Sequence, residues 1–598
     1  MRDNRKLSIL LIPILLVISL YISGYIAQFI NNYSQWKTEY GLASGVAPKL
    51  PTANFIECIS FVFSNEYGFY GIIISFAVIF ILILFIIITG KGQNGTTDRK
   101  RNIVYSDSGN YGTSGFMTEE EMRNVFEVES PKRVEGIILG KKDNKAVCLP
   151  KDTRMNSNIA VYGASGTMKS RAFVRNRLFQ AVRRQESVII TDPKSELYED
   201  MAEYFKNNGY TVKVFNLINM EHSDSWNCLK EIEGNDLMAQ VFADVVIKNT
   251  SVGKSDHFWD NAELNLLKAL ILYVSSNYMT KNIGAVYELL STKTEAQLNG
   301  LFAGLDKSHP AFASYNIFKQ ASDTVRTGVI IGLGARLQVF QNKIVKNITS
   351  YDDIDLELPA KQKCAYFCIT SDQDSTFDFL SSLFFSFAFI KLVRYADKYG
   401  KNGRCDYDVA FVLDEFPNIG GIVDFQKKIS TVRSRGISIA VIFQNLAQLQ
   451  NRYPSNVWQE IIGNCDTQLF LGCTDELTAQ FISNRTGEVT IGVTSTQKML
   501  STWQVSKYTP QYRETTSVGK RKLMTMDEIL RMPLEKELVI LRGQKVIELE
   551  KFDYTLHPES KKIVKCKATE YIPLWRQDNE STPSNIETKK KFIVSKMP

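Results

Sequence analysis

The segment that most constrains the fold runs from Ile159 to Arg184. An apolar stretch, Ile159-Ala160-Val161-Tyr162, leads directly into Gly163-Ala164-Ser165-Gly166-Thr167-Met168-Lys169-Ser170, and a helical pattern follows over residues 171–184. A strand, a glycine-bearing loop ending in Lys-Ser, and a helix is the context in which a backbone loop cradles phosphate. Gly163 and Gly166 let the chain curl so that amide protons face an anion, and the helix N-terminus adds partial positive charge. Lys169 is placed to reach β- and γ-phosphates, and the Ser170 hydroxyl to ligate Mg²⁺. The whole loop, residues 163–170, is therefore expected to bind ATP with Mg²⁺. Met168 departs from the pattern, because glycine normally precedes the lysine. A side chain there crowds the β-phosphate or reroutes the loop, which touches hydrolysis more than binding.

Downstream, short apolar runs alternate with helical patterns, the signature of a parallel α/β sheet. Residues 408–416 read D-V-A-F-V-L-D-E-F, an apolar strand ending in two carboxylates. Asp414 at such a strand end suits the Mg²⁺ shell and Glu415 suits polarisation of an attacking water. A buried strand followed by a solvated acidic turn is the plain alternative, and the phosphate loop upstream makes the pair specific. A further strand, residues 437–443, ends in Gln444, which reads either as a γ-phosphate sensor or as a surface amide. Between the two strands, Arg433 reads as an arginine reaching a neighbouring subunit's phosphate, a solvated helix end, or a DNA-phosphate contact.

Two apolar, uncharged runs, residues 7–30 and 69–89, are each long enough to cross about 30 Å of hydrocarbon as a helix. Arg2, Arg5 and Lys6 precede the first, and Lys91, Arg99, Lys100 and Arg101 follow the second. The segment between them holds only Lys37 and Lys49 as basic residues. The bias predicts a multi-pass anchor in the cytoplasmic membrane, with both termini cytoplasmic and a short external loop. The nine cysteines are scattered without a CxxC pair and the four histidines include no close pair, so no structural zinc site is expected. All but Cys58, in the external loop, read as reduced thiols of a cytoplasmic body.

These motifs, together with I-I-T-D-P-K-S-E-L (residues 189–197), F-V-L-D-E-F-P-N-I-G and V-I-F-Q-N-L-A-Q-L, resemble the type IV coupling proteins of the TraG/TraD class, in particular the PcfC-like branch of Gram-positive plasmids. The resemblance covers nearly the whole chain. It implies a RecA-like P-loop nucleotide-binding domain with an inserted all-α domain, preceded by two transmembrane helices. The corresponding boundaries are an anchor at 1–90, a linker at 91–130, the nucleotide-binding domain at 131–226 and 342–575, the insert at 227–341 and a flexible tail at 576–598. The resemblance further implies a homo-hexameric ring, membrane lipid around the anchor, single-stranded DNA and relaxase or processing-complex proteins as substrates, and type IV secretion channel subunits as partners. By it, Lys169 and Ser170 bind nucleotide and Mg²⁺, Asp414 coordinates, Glu415 activates water, Gln444 senses the γ-phosphate and Arg433 acts in trans. Asp192 and Lys194 line the same side of the sheet without an assigned role.

A net charge of +7 is modest for 598 residues and selects no partner by itself. Two basic clusters, one of Arg171, Arg175, Arg177, Arg183 and Arg184 and one of Lys427, Lys428, Arg433 and Arg435, offer sequence-independent phosphate binding, with a solvated helix face as the plain alternative for the first. Two further readings stand beside the transfer ATPase. One is a substrate receptor with little hydrolysis, favoured by Met168. The other is a chromosome-type DNA translocase, disfavoured because no C-terminal DNA-reading domain is evident.

Overall fold

A computed structural model describes residues 2–41, 45–89, 96–99, 101–233, 235–251, 257–498 and 512–581. They form two compact units, one of residues 1–110 with 490–519, the other of 111–489 with 520–598.

In the first unit a 39-residue helix, Arg2–Tyr40, precedes helices Phe55–Ser64 and Gly68–Thr89. Small residues bring the helices together, as expected where backbones approach closely. A Cβ on Gly24 would lie 1.8 Å from the Cys58 carbonyl oxygen, and one on Gly71 would lie 2.2 Å from that of Ser23. The Ser23 and Ser75 hydroxyls meet at 2.5 Å in this buried seam. The first helix outruns the expected span by five residues at its start and ten at its end. Hydropathy marks hydrocarbon thickness, whereas the helix ends at Gly41, whose φ of +66° leaves the helical region. Within the expected external loop, Asn54 accepts from the Ile56 N–H and starts the helix Phe55–Ser64. By length and composition that helix and the first part of Gly68–Thr89 together qualify as one span bent by 113°.

The second unit is built on a twelve-stranded sheet. In chain order its strands are β1 (Glu127–Glu129), β2 (Ile137–Lys142), β3 (Lys145–Leu149), β4 (Ile159–Gly163), β5 (Ser187–Thr191), β6 (Thr211–Asn216), β7 (Cys364–Ile369), β8 (Val409–Leu413), β9 (Ile437–Phe443), β10 (Thr467–Gly472), β11 (Lys536–Leu541) and β12 (Ile547–Glu550). Their order across the sheet is β1-β3-β2-β12-β11-β10-β4-β9-β8-β5-β7-β6. From β10 to β6 every neighbouring pair is parallel. The central strands are buried on both faces, which is why they read as unbroken apolar runs. Successive side chains alternate between faces. Val161, Val188, Ile190, Val412 and Ile442 share one core with Phe173, Leu178 and Phe179 of the helix after the loop. Phe411 points the other way and stacks on Phe389 of helix Asp378–Lys398 at 4.0 Å. That helix is apolar and long enough to span a membrane, yet it is mostly buried inside this unit.

Between β6 and β7 the described residues carry helices and no strand of the sheet. Helix His257–Asn277 lies in the core through Leu267, Leu270 and Ile271. Arg336 ties that helix down, with hydrogen bonds or ion pairs to Asp260 at 2.8 Å and Glu263 at 2.5 Å. Two expectations need correction. The segment read as linker to residue 130 already carries the paired strands Thr97–Asp98 and Ile103–Val104, and from Thr118 a reciprocal cap with Glu121 starts helix Glu119–Val125 and β1 follows. The segment read as tail begins inside helix Leu574–Ser581, where buried Trp575 donates to the Ser223 carbonyl at 2.7 Å. Residues 582–598 of that tail lie outside the described residues.

Candidate nucleotide site

Register across the parallel strands decides which residues meet. Tyr162 of β4 pairs with Phe443 of β9, Val441 with Leu413 of β8, and Leu413 with Thr191 of β5. The C-terminal ends of these strands therefore lie along one edge, where Gly163, Gln444, Asp414 and Asp192 emerge together. β9 is inserted between the loop strand and the acidic strand, so Gln444 stands between the two.

The loop wraps a cavity of about 450 Å³. A Cβ on Gly163 would sit 2.7 Å from Lys169 Cγ, and Gly166 stands at φ +82°. Met168 adopts φ +70°, the left-handed region a glycine would supply freely, at a cost of about 1–2 kcal/mol. Its side chain packs partly buried against the core while still lining the cavity. The departure from the loop pattern is thus met by a strained backbone at Met168. The helix opens with a π turn, Ser170–Val174, and continues as Arg175–Arg184.

Lys169 is buried, and its Nζ donates to the Gly163 carbonyl at 2.8 Å and lies 3.4 Å from Glu415 Oε1. Gln444 Nε2 donates to the same carboxylate oxygen at 3.1 Å. Glu415 Oε2 is buried without a hydrogen-bond partner, and the residue is turned into the site by a left-handed backbone, φ +49°. Ser170 Oγ lies 3.5 Å from Asp414 Oδ2, and Thr191 Oγ1 donates to the Asp414 carbonyl at 2.6 Å. Burial, with Glu415 beside it, pushes Asp414 up to about 6. Asp192 is pushed up to about 7 by burial, which outweighs the backbone N–H groups of Lys194, Leu197 and Tyr198 that it caps. Two buried carboxyls, both raised by burial, stand beside a hydroxyl, a lysine and a glycine loop, a cluster suited to a phosphate–cation pair.

The structure brings together Lys169, Ser170, Asp414, Glu415 and Gln444, and Ala164, Ser165, Gly166 and Met168 line the cavity with them. Gly163 and Thr167 shape the loop from behind. Asp192 and Lys194 also line the cavity. Arg433 does not. It lies in the turn Arg433–Arg435 before β9, donates to the Arg154 carbonyl, and stands at the opposite edge of the sheet. The seven residues of β9 separate it from Gln444 by roughly 20 Å.

The first basic cluster is corrected more fully, because it is neither a DNA-binding face nor a solvated one. Arg175 grips Asp200 with two bonds of 2.9 and 2.6 Å. Arg177 and Arg184 converge on buried Glu186 at 2.7 and 2.6 Å, and Arg183 donates to the carbonyls of Pro131 and Val134. Only Arg171 is half exposed, and it pairs with Asp553 at 2.7 Å. In the second cluster Arg435 is held by Asp397 at 2.8 Å and Lys427 by Asp424 at 3.2 Å, while half-buried Lys428 donates to the Val423 carbonyl. Sequence reasoning missed Tyr554, which lines the cavity below the guanidinium groups of Arg171 and Arg175 at 5.3 and 5.1 Å. It lies far from every motif, and no spacing marks it.

Residues 116–572 match the sequence profile of the family described as Type IV secretory system Conjugative DNA transfer. Protein VirD4 of Rhizobium rhizogenes is 25% identical over 394 residues, covering 64% of this chain and 56% of that protein. Conjugal transfer protein TraG of Escherichia coli is 25% identical over 385 residues, covering 59% of this chain and 58% of that protein. The chain thus spans a little over half the length of these relatives. The plasmid coupling protein TrwB in complex with ADP and Mg²⁺ shares the fold at 15% identity, with a TM-score of 0.56 over 74% of this chain and 94% of that one. With three-quarters of its length inside the family profile, the chain belongs to the type IV secretory system conjugative DNA transfer family.

Proposed function

We propose that the protein is a membrane-anchored ATPase that brings relaxase-bound single-stranded DNA to a type IV secretion channel and powers or gates its transfer. One observation carries the enzymatic half. Glu415 is held through one oxygen by Lys169 at 3.4 Å and Gln444 at 3.1 Å, while its other oxygen has no partner, directly above a phosphate-type loop. A carboxylate fixed through one oxygen, with the other unpartnered, is suited to act as general base for a water that enters with nucleotide. Lys169 exchanges Glu415 for phosphate when nucleotide enters, and Gln444 then links the γ-phosphate position to the released carboxylate. ADP and Mg²⁺ bound to TrwB support the same ligands here. The hydroxyl of Ser170 and the carboxylate of Asp414 are a donor set suited to Mg²⁺, which neutralises phosphate charge when bound. Arg433 stands roughly 20 Å from its own cavity along β9, which suits the role the family resemblance implies for it, service to a neighbouring copy in a hexameric ring. The charge bias flanking the apolar runs 7–30 and 69–89 supports two membrane spans with cytoplasmic termini. The resemblance of the motif segments supports the PcfC-like Gram-positive branch.

The test is ATP turnover by the full-length chain in detergent, with and without single-stranded DNA. Lys169→Ala is expected to abolish nucleotide binding. Glu415→Gln should keep binding but lose turnover by about 10²-fold or more. Arg433→Ala should also bind normally and lose about 10³-fold, with activity returning on mixing with Lys169→Ala chains. Wild-type protein that binds nucleotide and DNA without turnover above Glu415→Gln would replace the motor by a docking receptor.

A further inference from the structure

Behind the phosphate loop lies a buried ammonium that no motif points to. Lys551 follows β12, is 6% exposed, and donates from Nζ to the Thr167 carbonyl at 3.0 Å and the Leu471 carbonyl at 2.7 Å. The first acceptor belongs to the loop. The second belongs to β10, whose Gly472 carbonyl also accepts the Ala164 N–H at 3.0 Å. Lysines almost never bury completely, because the long stem can carry the charge to water. Here the charge is kept inside at a cost. Burial pulls Lys551 down to about 8, opposed by Glu537 and Glu535 of the neighbouring strand region. Glu537 is itself buried on β11 and pushed well up.

The geometry of one peptide accounts for the arrangement. A trans peptide is planar, so its carbonyl and N–H point in opposite directions. With the Thr167 carbonyl turned toward Lys551, the N–H of Met168 turns toward the cavity that Met168 lines. Met168 holds φ +70° there, a backbone state that side-chain-bearing residues leave unless something restrains them. We propose that Lys551 is that restraint, a positioning residue that keeps the Thr167–Met168 peptide aimed at the nucleotide phosphates and so permits methionine where the loop pattern has glycine. The proposal rests on the nucleotide reading of the site. It adds a residue nearly four hundred positions from the loop to the binding apparatus, and it explains why the antiparallel strands β11 and β12 belong to the same sheet as the loop.

The test is a double-mutant cycle on the full-length chain in detergent, reading the Kd for a fluorescent ATP analogue with Mg²⁺. Lys551→Met is expected to weaken binding about tenfold, the equilibrium equivalent of releasing a left-handed residue. Adding Lys551→Met to Met168→Gly is expected to change affinity by less than about twofold, because glycine holds the conformation unaided. An equal loss in both backgrounds overturns the proposal, since a general folding defect would act in both. Should Lys551→Met melt below the assay temperature, Lys551→Arg is compared in the same two backgrounds, with the same convergence expected. A wild type that binds no nucleotide overturns the site reading and this proposal together. Binding lost in Lys169→Ala but unaffected by Lys551→Met overturns this proposal alone.

Discussion

Replacing Gly163 with alanine tests whether the loop works by holding Lys169 in place. The added Cβ would lie 2.6 Å from Thr167 Oγ1, 2.7 Å from Lys169 Cγ and 3.1 Å from Lys169 Cδ. The hydroxyl is committed to the Ala164 carbonyl at 2.7 Å, and the lysine to the Gly163 carbonyl at 2.8 Å. Carbon atoms rest at about 3.5–4.0 Å, so the lysine stem must retreat by about 1 Å, and its ammonium moves with it. Losing one charge-assisted bond to phosphate costs about 1.5–3 kcal/mol, which is about 10- to 150-fold in nucleotide Kd. The strand backbone and the core beneath it are untouched, so the melting temperature without nucleotide should fall by no more than about 2 °C. Gly166→Ala is the internal contrast. Nothing lies within 4 Å of its added Cβ, but φ is +82°, so it should lose about 1–2 kcal/mol through backbone strain alone. Isothermal titration with ADP and Mg²⁺, beside thermal melting, reads both. Gly163→Ala binding within twofold of wild type refutes the reasoning, and so does an affinity loss that merely tracks a large drop in melting temperature.

Two further outcomes follow from the buried charges. Arg177→Ala leaves Glu186 buried with one guanidinium fewer, so chemical denaturation should report a loss of about 3–5 kcal/mol. The salt dependence of DNA binding should not change, whereas a slope lower by about one would return Arg177 to the DNA interface. Asp192 holds its proton up to about pH 7 in the folded chain, against about 3.9 when unfolded. Its stabilising contribution is therefore complete below about pH 4 and is lost as pH rises through about 7. Melting temperatures over that range should decline less in Asp192→Asn than in wild type, and parallel profiles would dismiss the assignment.

What the sequence makes legible is what is local. Strand, loop and helix from Ile159 to Arg184 are adjacent, so their reading needs no tertiary information. Asp414, Glu415 and Gln444 were legible because each ends an apolar run, and parallel strands deliver their ends to one edge. The arginines after the loop were not. Arg177 and Arg184 turn inward because Glu186, just past the helix end, is buried with them. Charge density cannot tell an internal counterion from a phosphate. Lys551 and Tyr554 escaped for a related reason, since antiparallel strands far along the chain bring them behind and beside the loop. The helix starting after Thr118 does carry a signal, Thr-x-x-Glu before an apolar position, which the glycine- and serine-rich composition upstream obscures.

The sheet also sorts the chemistry by strand end, and the sorting has a consequence for assembly. Ile159 pairs with Ala440, so β4 and β9 run side by side in the same direction. Groups that follow these strands gather at the cavity beside the loop, while groups that precede them gather at the far edge with Arg433. No rotamer of an arginine spans roughly 20 Å, so Arg433 and Lys169 of one chain cannot act on the same phosphate. If Arg433 contributes to turnover at all, it does so on another copy, and the isolated chain holds a complete binding site with an incomplete catalytic one. Specific activity should then rise with protein concentration while nucleotide affinity stays constant, a separation that a monomeric hydrolase does not produce.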